Sequence, residues 1–246
     1  MNNNFDLNLI YLRNKLIWGE ETQNSLWNKH IVILGLGGVG SYAVEALARS
    51  GIGNLSLVDF DRVTITNFNR QLLASTNYLD QLKTDAMEAR IFTINPEINV
   101  IKYPLFYDSS HNETLFKNTP DFVVDAIDST ISKMDLIEYC IKNNINIVSS
   151  FGAANRLDPS KLFITDISET KGLPCPFAKK LRTNLKKRNI LKGLPVVTSN
   201  ESPVKPDYSI VIDDTDKSKP PASSPFVPPV AGFILASYVI RKLISG

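Results

Sequence analysis

A glycine-rich turn between an apolar run and a helical pattern constrains the fold more than any other stretch of the chain. Residues 31–34 are apolar and mostly β-branched, which is typical of a strand buried on both faces of a parallel sheet. Gly35, Gly37 and Gly40 then give the spacing G-x-G-x-x-G, and apolar residues at helical intervals follow. A strand, a glycine turn and a helix in this order predict a phosphate site, because the backbone can approach a pyrophosphate and the helix start stabilises its charge.

An acidic residue follows the second apolar run. That run, residues 55–58, leads directly into Asp59, which lies 19 residues after Gly40. An acid at the end of the second strand is placed to bind a ribose hydroxyl. Together the two features predict a nucleotide site and leave the identity of the nucleotide open.

Apolar runs alternate with helical patterns as far as residue 150, and this alternation predicts the fold class. Further strands are expected at 99–103, 121–128 and 145–149, and helices at 7–23, 78–94 and 129–143. Five strands alternating with helices favour an α/β fold with a doubly wound, Rossmann-like, mostly parallel sheet. Asp128 ends the fourth strand, at the edge where such sheets bind ligands.

The last third of the chain has a different character. Eleven of the fourteen prolines lie from Pro159 onward, which argues against further strand–helix–strand units there. We expect a short strand at 162–166, an amphipathic helix within 171–192, an irregular segment at 207–229 and a closing helix at 230–244. The predicted division is a helical arm at 1–29, a nucleotide-binding core at 30–155, and an extension at 156–246 for substrate binding and dimerisation.

Composition excludes several classes of protein. The 246 residues carry a net charge of +2, so no global excess marks a nucleic-acid or membrane protein. The two cysteines, Cys140 and Cys175, cannot form a four-cysteine zinc site. The first eight residues lack a signal-peptide pattern, and the apolar stretch 226–240 has 15 residues, short of the ~20 that span a membrane. We therefore expect a soluble, cytoplasmic protein.

Polar residues spaced around the glycine turn resemble the motifs of a known family. These motifs are Gly35-Leu-Gly-Gly-Val-Gly40, Asp59-Phe-Asp61, Thr66-Asn67-Phe-Asn69-Arg70-Gln71, Lys83 and Asp125-Ala-Ile-Asp128. In this order they resemble the ubiquitin-activating (adenylating) superfamily, whose bacterial members include activators of sulfur-carrier proteins. An ordinary NAD-dependent dehydrogenase would not need this asparagine–arginine–glutamine set together with the lysine and the second acid.

The resemblance implies ATP as the nucleotide, Mg²⁺ as the metal and an acyl-adenylate as the product. The residues that would contact the nucleotide are Gly35, Gly37, Gly38, Gly40, Asp59, Asp61, Asn67, Arg70, Gln71, Lys83 and Asp128. Asp59 would bind the ribose, and Asp128 would be the acid linked to Mg²⁺. Asn67, Arg70 and Lys83 would neutralise the triphosphate, because phosphoryl chemistry depends on electrostatic stabilisation. Arg70, Lys83 and Asp128 are the expected catalytic residues of this group.

The N-terminal arm resembles a further motif of the same superfamily. Tyr11-Leu12-Arg13 is similar to the family's Arg-Tyr-x-Arg-Gln sequence, whose second arginine reaches into the site of the partner subunit. Arg13 takes that position, whereas Ile10 and Asn14 replace the first arginine and the glutamine. The resemblance therefore implies a homodimer in which Arg13 is a catalytic residue across the interface.

The second half of the chain indicates a branch of the superfamily. Sulfur-carrier activators usually contain two Cys-x-x-Cys pairs for zinc, and this sequence has none. Segments 43–53, 159–166, 176–182 and 197–201 are instead similar to the tRNA threonylcarbamoyladenosine dehydratase branch. Such an enzyme would adenylate the threonyl carboxylate of the modified adenosine and release pyrophosphate. A nucleophile of the same side chain would then close a ring and expel AMP, a net loss of water.

Three alternatives stay open on the sequence. They are an activator of a ubiquitin-like or sulfur-carrier protein, a Rossmann dehydrogenase or NAD-sensing module, and a non-catalytic tRNA-binding protein. Eight basic residues and no acid between 171 and 192 are compatible with an RNA substrate or with a solvated helix face. Cys140 is expected to be buried in a helix and Cys175 to lie in a loop. Many members of the superfamily have a thioester- or persulfide-forming cysteine in the second half, and this sequence has no cysteine after Cys175, so a covalent route of that kind is not expected. Free cysteines are in any case more often core residues than nucleophiles.

Overall fold

The structure is a computed structural model that describes residues 6–210 and 221–245. Its strands are β1 (His30–Leu34), β2 (Asn54–Val58), β3 (Asn99–Tyr103), β4 (Phe122–Asp125), β5 (Ile147–Ser150), β6 (Leu162–Asp166) and β7 (Pro195–Ser199). Its α-helices are α1 (Leu7–Ile10), α2 (Leu12–Trp18), α3 (Glu20–Trp27), α4 (Gly40–Ser50), α5 (Lys83–Ile94), α6 (Asn112–Leu115), α7 (Thr130–Lys142), α8 (Pro176–Lys187) and α9 (Val227–Ile244). The prediction for the first eight residues and that for 207–229 fall partly outside the described residues, at 1–5 and 211–220.

In the described part of the chain, seven strands form one sheet in the order β3-β2-β1-β4-β5-β7-β6. Neighbouring strands are parallel except for β6 and β7, which are antiparallel. The strand order changes direction between β1 and β4, so a crevice opens beyond the carboxyl ends of the strands at that point. The predicted doubly wound, mostly parallel α/β fold is confirmed.

Strand β7 corrects the expectation that the proline-rich region adds no further strand–helix–strand unit. It pairs in parallel with β5, where Ser149 lies opposite Val196. Pro195 is its first residue, a position at which a proline is tolerated because the sheet ladder does not need its N–H there. The number of prolines was therefore a poor guide, and the chain after residue 156 adds two strands to the same sheet.

Two predicted helices are shorter than their sequence patterns suggest. Residues 7–23, expected as one helix, form α1, α2 and the start of α3, because Gly19 adopts a φ of +86° between α2 and α3. Helix α5 begins at Lys83, five residues later than predicted, since Thr76–Tyr78 form a separate 3₁₀ turn and Leu82 is in an isolated bridge with Arg62. Lys83 is therefore in the first turn of α5, next to the loop that follows β2.

Helices cover both faces of the sheet because the side chains of each buried strand alternate between them. One apolar cluster joins Ile33 of β1 to Leu47 of α4 and Leu235 of α9. The other cluster joins the neighbouring Val32 to helices α7 and α8, where Leu181 is fully buried. The α/β layers thus leave the carboxyl edge of the sheet open between them.

Helix α9 closes the first of these two faces, as the sequence predicts for residues 230–244. Its 18 residues have a mean hydropathy of 1.4, so length and composition alone would allow a membrane span, but half of the helix is buried within the fold. Gly232 lies so close to the Val39 carbonyl that a Cβ would stand 2.3 Å from the oxygen. This close approach to the start of α4 is the packing of a core helix.

Candidate active site

A cavity of about 600 Å³ lies at the carboxyl ends of β1, β2, β4 and β5. Ten of the twelve site residues predicted from the sequence line it, namely Gly35, Gly37, Gly38, Asp59, Asp61, Asn67, Arg70, Gln71, Lys83 and Asp128. Gly40 is packed against Gly35 within the glycine turn and does not line the cavity, and Arg13 lies elsewhere on the chain. The fold therefore brings together groups that are spread over almost a hundred residues of sequence.

The glycine turn forms the floor of the cavity between β1 and α4. Gly35 has a φ of +88°, and a Cβ on it would lie 2.7 Å from the carbonyl oxygen of Ala126. A Cβ on Gly40 would lie 1.7 Å from the carbonyl oxygen of Gly35, so the turn can only close with glycine at both positions. Helix α4 starts at Gly40, which places the positive end of its dipole at the cavity.

Asp59 follows β2 and is tied to the glycine turn. One carboxylate oxygen accepts a hydrogen bond from the backbone N–H of Leu36 at 2.6 Å, and the other accepts from that of Asp61 at 2.8 Å. Only 8% of Asp59 is exposed, and this burial raises the pKa of its carboxyl group, against the effect of the Lys83 ammonium 3.9 Å away. Each oxygen keeps a free lone pair that a ribose hydroxyl can use.

Lys83 stands between two carboxylates at the start of α5. Its Nζ donates to Asp61 at 2.7 Å and lies 3.9 Å from Asp59. The lysine is 5% exposed, whereas almost half of the Asp61 side chain is exposed. The buried ammonium is thus held in place by acids, and it faces a cavity in which a phosphate can compete for it.

Asn67 and Gln71 present amides to the cavity from the loop after β2. The side-chain oxygen of Asn67 accepts from the backbone N–H of Thr64 at 3.2 Å, which holds the short 3₁₀ turn Ile65–Asn67 in place. Gln71 is 7% exposed, and its side-chain oxygen has no hydrogen-bond partner among residues 6–210 and 221–245. A buried amide oxygen without a partner is uncommon and marks a position where a ligand or water completes the bonding.

Arg70 lies on the same loop, against the glycine turn. Its Nη1 donates to the carbonyl of Thr66 and to the side chain of Asn69, both at 2.9 Å. Burial lowers the pKa of the guanidinium, yet an arginine still stays protonated at neutral pH. The Arg70 side chain passes Gly38 so closely that a Cβ on that glycine would lie 3.2 Å from its Cγ. A permanent cation therefore borders the predicted phosphate site.

Asp128 and Asp125 differ sharply, although both belong to one predicted motif. Asp128 lies three residues beyond β4, is exposed and lines the cavity. Asp125 is fully buried and pairs with the Nζ of Lys133 at 2.7 Å, while the Ser149 hydroxyl donates to the same carboxylate oxygen. Burial lowers the pKa of Lys133. Sequence reasoning did not identify this lysine as a buried partner of Asp125. Its position in the first turn of the helix after Asp125 was the available signal.

Sequence reasoning also missed the wall opposite the glycine turn. Asn155, Arg156 and Phe177 line this wall. Cys175, expected in a loop, takes the N-cap position of α8, where its Sγ accepts from the backbone N–H of Ala178 at 3.5 Å. These residues come together only through the crossover from β5 to β7, so no local motif marks them.

The other cysteine, Cys140, is buried in α7 as predicted. Burial raises the pKa of its thiol, with the Asp125 charge adding to the effect. A thiol in that environment is a packing residue.

Arg13 lies on α2, away from the cavity of its own chain, and is exposed. The neighbouring Tyr11 hydroxyl donates to the carbonyl of Ala48 at 3.2 Å, and the Asn14 amide donates to that of Arg49 at 2.8 Å. Both carbonyls belong to the last turns of α4. With a rise of about 1.5 Å per residue, they lie more than about 12 Å from the start of that helix at the glycine turn. Arg13 is thus attached to the far end of α4.

Helix α8 confirms the amphipathic helix predicted within 171–192. It buries Leu181 and Leu185, and its opposite face carries the exposed lysines 179, 180, 186 and 187. Arg188 just after the helix is paired with Asp135 at 2.6 Å and with Glu138 at 2.9 Å. Because α8 starts at the cavity wall, its lysine face begins there as well.

A model of the ThiF family matches residues 11–245. The chain belongs to the ThiF family. This finding confirms the resemblance to the adenylating superfamily, and it removes the dehydrogenase alternative. The matched range includes the cavity, the arm from Tyr11 onward and helix α9.

The ThiF relatives include one protein that is similar over nearly its whole length. The chain is 44% identical over 242 residues to the tRNA threonylcarbamoyladenosine dehydratase of Bacillus subtilis, which is 96% of this chain and 94% of that protein. The crystal structure of the Escherichia coli tRNA N6-threonylcarbamoyladenosine dehydratase in complex with ATP has a TM-score of 0.88 and 32% identity. The match covers 98% of this chain and 96% of that one. Both similarities therefore extend over the two sides of the cavity.

A ThiF relative from the competing branch is similar over a shorter range. The chain is 34% identical over 134 residues to the adenylyltransferase and sulfurtransferase UBA4 of Vanderwaltozyma polyspora. That match covers 54% of this chain and 30% of that protein. The sulfur-carrier alternative is therefore the weaker one.

Proposed function

We propose that this chain is an ATP-dependent, tRNA-modifying dehydratase of the cytoplasm. It adenylates the threonyl carboxylate of N6-threonylcarbamoyladenosine and closes that side chain into its cyclic form. The cavity carries the proposal, because a glycine turn, two cations and an amide oxygen with no partner in the described part of the chain converge there from separate segments. The 44% identity to the Bacillus subtilis tRNA threonylcarbamoyladenosine dehydratase gives the substrate class. In this proposal, residues 30–155 bind ATP and residues 156–246 bind the acceptor.

The reaction has two steps. The substrate carboxylate attacks the α-phosphorus of ATP, the bond from that phosphorus to the bridging oxygen breaks, and pyrophosphate leaves. A nucleophile of the same side chain then attacks the acyl carbon, and AMP leaves, so the modified adenosine loses one water overall. Attack of one anion on another needs charge neutralisation more than covalent help. We assign that task to Arg70, Lys83 and the Asn67 amide, with Asp59 holding the ribose and Gln71 contacting the nucleotide nearby.

A divalent metal fits the site through Asp128. In the described residues no group of three or more histidines, cysteines and acids could hold a metal ion by itself. Mg²⁺ usually binds nucleotides through one or two carboxylates and the phosphates, and the exposed Asp128 at the cavity supplies one such carboxylate. When bound, the ion would add positive charge at the phosphates. Asp128 would position it there.

The lysine face of α8 is our proposed contact for the tRNA backbone. Lys180 reaches the Thr130 hydroxyl at 3.5 Å, next to the loop that carries Asp128, so the face adjoins the cavity mouth. Exposed lysines that neutralise phosphates release counterions, which makes affinity fall as salt rises. This face would place a tRNA backbone beside the reacting carboxylate.

A homodimer completes the proposed site. Around Arg13, helix α2 exposes three large apolar side chains, Leu12, Leu16 and Ile17, the last two by 80% and 78%. Clusters of exposed apolar side chains of this kind often mark protein interfaces. We propose that this surface packs on a second copy and that Arg13 enters the cavity of that copy, since α2 is attached to the far end of α4 and Arg13 does not line the cavity of its own chain.

The test is mass analysis of tRNA nucleosides after incubation with threonylcarbamoyl-modified tRNA and Mg-ATP. We expect loss of the mass of one water, with AMP released in equal amount. Arg70→Ala and Lys83→Ala should abolish both signals while the thermal unfolding transition remains cooperative.

Lys102→Ala is the matched control, because Lys102 pairs with Asp85 and Glu88 outside the cavity and should leave the signals unchanged. Normal turnover in the Arg70 and Lys83 variants would contradict the phosphate assignment. Tight ATP binding by the wild type without any change in the nucleoside would instead point to a protein carboxylate as acceptor.

A further inference from the structure

Arg156 is a buried guanidinium that lines the cavity and leaves most of its donors unused. It is 2% exposed, and its Nη2 donates to the carbonyl of Pro174 at 3.2 Å. Its Nε and Nη1 are buried without a hydrogen-bond partner in the structure, and it is in no ion pair among the described residues. Burial of a charge without a partner is unfavourable, so the wall holds this cation ready for an anion that enters the cavity.

The backbone around Arg156 is fixed from both sides. Asn155 has a φ of +58° and exchanges hydrogen bonds with the backbone of Ala222, both at 2.8 Å, and the N–H of Val204 donates to its carbonyl at 2.8 Å. On the other side, the backbone N–H of Leu157 donates to Glu201 at 2.9 Å. A guanidinium on such a segment has its position set before any ligand binds.

The location of Arg156 separates it from the triphosphate site. Arg156 follows β5, and β5 is two strands away from β1, which leads into the glycine turn. Adjacent strands are about 4.8 Å apart, so the two sides of the cavity are roughly 10 Å apart at the sheet edge. A nucleotide bound to the glycine turn and Asp59 leaves this side of the cavity to the acceptor.

The surroundings of Arg156 favour a carboxylate over a backbone phosphate. Ala153, Pro176 and Phe177 make this wall largely apolar, and an apolar setting strengthens a guanidinium–carboxylate pair. The planar fork of arginine matches the two oxygens of a carboxylate. A phosphodiester carries a sugar on each side and requires an open groove, whereas a terminal carboxylate can reach a buried guanidinium such as that of Arg156.

Given the proposed function, we infer that Arg156 binds the threonyl carboxylate of the modified adenosine and holds it for attack on the α-phosphorus of ATP. It would thus bind the acceptor, while Arg70 and Lys83 act on the nucleotide. The pairing also lowers the repulsion between the two reacting anions as they approach.

Arg156→Gln tests this assignment with modified and unmodified tRNA. Loss of a desolvated ion pair should lower kcat/KM for modified tRNA by roughly 30- to 1,000-fold. The affinities for ATP and for unmodified tRNA should not change. Arg156→Lys keeps the charge but not the planar fork, so its kcat/KM for modified tRNA should lie between those of Arg156→Gln and the wild type. The melting temperature should stay the same or rise, because the unpaired buried donors are removed.

Arg62→Gln is the matched control, since Arg62 is exposed, lies outside the cavity and donates to the Asp80 carbonyl at 2.7 Å. It should behave as the wild type in all these assays. Equal loss of affinity for unmodified tRNA would assign Arg156 to a backbone phosphate, and weaker ATP binding would assign it to the nucleotide. Either result overturns the inference. So does an unchanged kcat/KM of Arg156→Gln for modified tRNA, provided that the wild type makes the cyclic product. A wild type that does not distinguish the two tRNAs would overturn the proposed function as well.

Discussion

Replacing Lys133 with methionine should destabilise the protein strongly, because it leaves a carboxylate buried without its counter-charge. Lys133 and Asp125 are both fully buried, and Nζ of the lysine lies 2.7 Å from the carboxylate and 3.1 Å from the Ser149 hydroxyl. Removal of one partner from such a pair costs about 3–5 kcal/mol. For a chain of this size each kcal/mol shifts the melting temperature by about 2–4 °C, so we expect a fall of roughly 6–20 °C. Calorimetric unfolding at a fixed protein concentration measures the fall.

The double variant Lys133→Met with Asp125→Asn is the control for this reasoning. It removes both charges and keeps a side-chain oxygen at position 125, where the carboxylate now accepts from the backbone N–H of Ile127 at 3.1 Å. Most of the lost stability should return, because a neutral amide is much less costly to bury than an unpaired carboxylate. A double variant no more stable than Lys133→Met would refute the argument. So would a single variant that melts within about 2 °C of the wild type.

Three other outcomes follow from the site. Gly35→Ala should unfold at a lower temperature than Gly193→Ala in the same thermal assay. Both glycines have φ near +85°, but only the new Cβ at position 35 meets backbone within 3 Å, so equal melting temperatures would argue against the close turn. Burial raises the pKa of Asp59 above its ordinary value of 3.8, with Lys83 opposing it, so the native state binds this proton more tightly than the unfolded chain. The contribution of Asp59 to the free energy of unfolding is then present below that value and lost as the pH rises through the folded pKa. In urea titrations, the free energy of unfolding of the wild type minus that of Asp59→Asn should therefore be larger near about pH 4 than near about pH 7. The opposite slope would contradict the burial effect. Arg13→Ala and Asp128→Ala should each be inactive, and mixing them should restore part of the AMP release. No recovery in confirmed heterodimers would exclude action of Arg13 across the interface.

The nucleotide side of the cavity could be predicted because its features are local in sequence. The strand, the glycine turn and Asp59 lie within thirty residues, and each has a spacing that the chemistry dictates. Asn67, Arg70 and Lys83 come from the loop and helix that follow directly. Here the distance along the chain is short enough for a sequence pattern to determine which side chains meet.

The side of the cavity that contains Arg156 could not be predicted in the same way. Arg156 and Phe177 line the same cavity only because β7 inserts beside β5, and the prolines of that region concealed the strand. The buried pair of Lys133 and Asp125 was missed for a related reason, since a lysine near a helix start is normally solvated and only the tertiary fold covers it. Residues whose environment is created by distant segments have no signal in a local pattern.

The charges of the cavity explain why we propose groups from outside one chain for this reaction. Among the described residues that line it, three are cationic and three are acidic, namely Arg70, Lys83, Arg156, Asp59, Asp61 and Asp128, so their formal charges cancel. A triphosphate and a carboxylate add several negative charges to this balanced set. At an effective dielectric constant near 20, two like charges about 4 Å apart repel by about 4 kcal/mol, which is enough to oppose their approach. A divalent ion at Asp128 and Arg13 of a second copy would each add positive charge where the deficit arises. The proposed metal and the proposed dimer would thus both supply the positive charge that the cavity lacks. We expect loss of either one to lower turnover more than it lowers ATP binding.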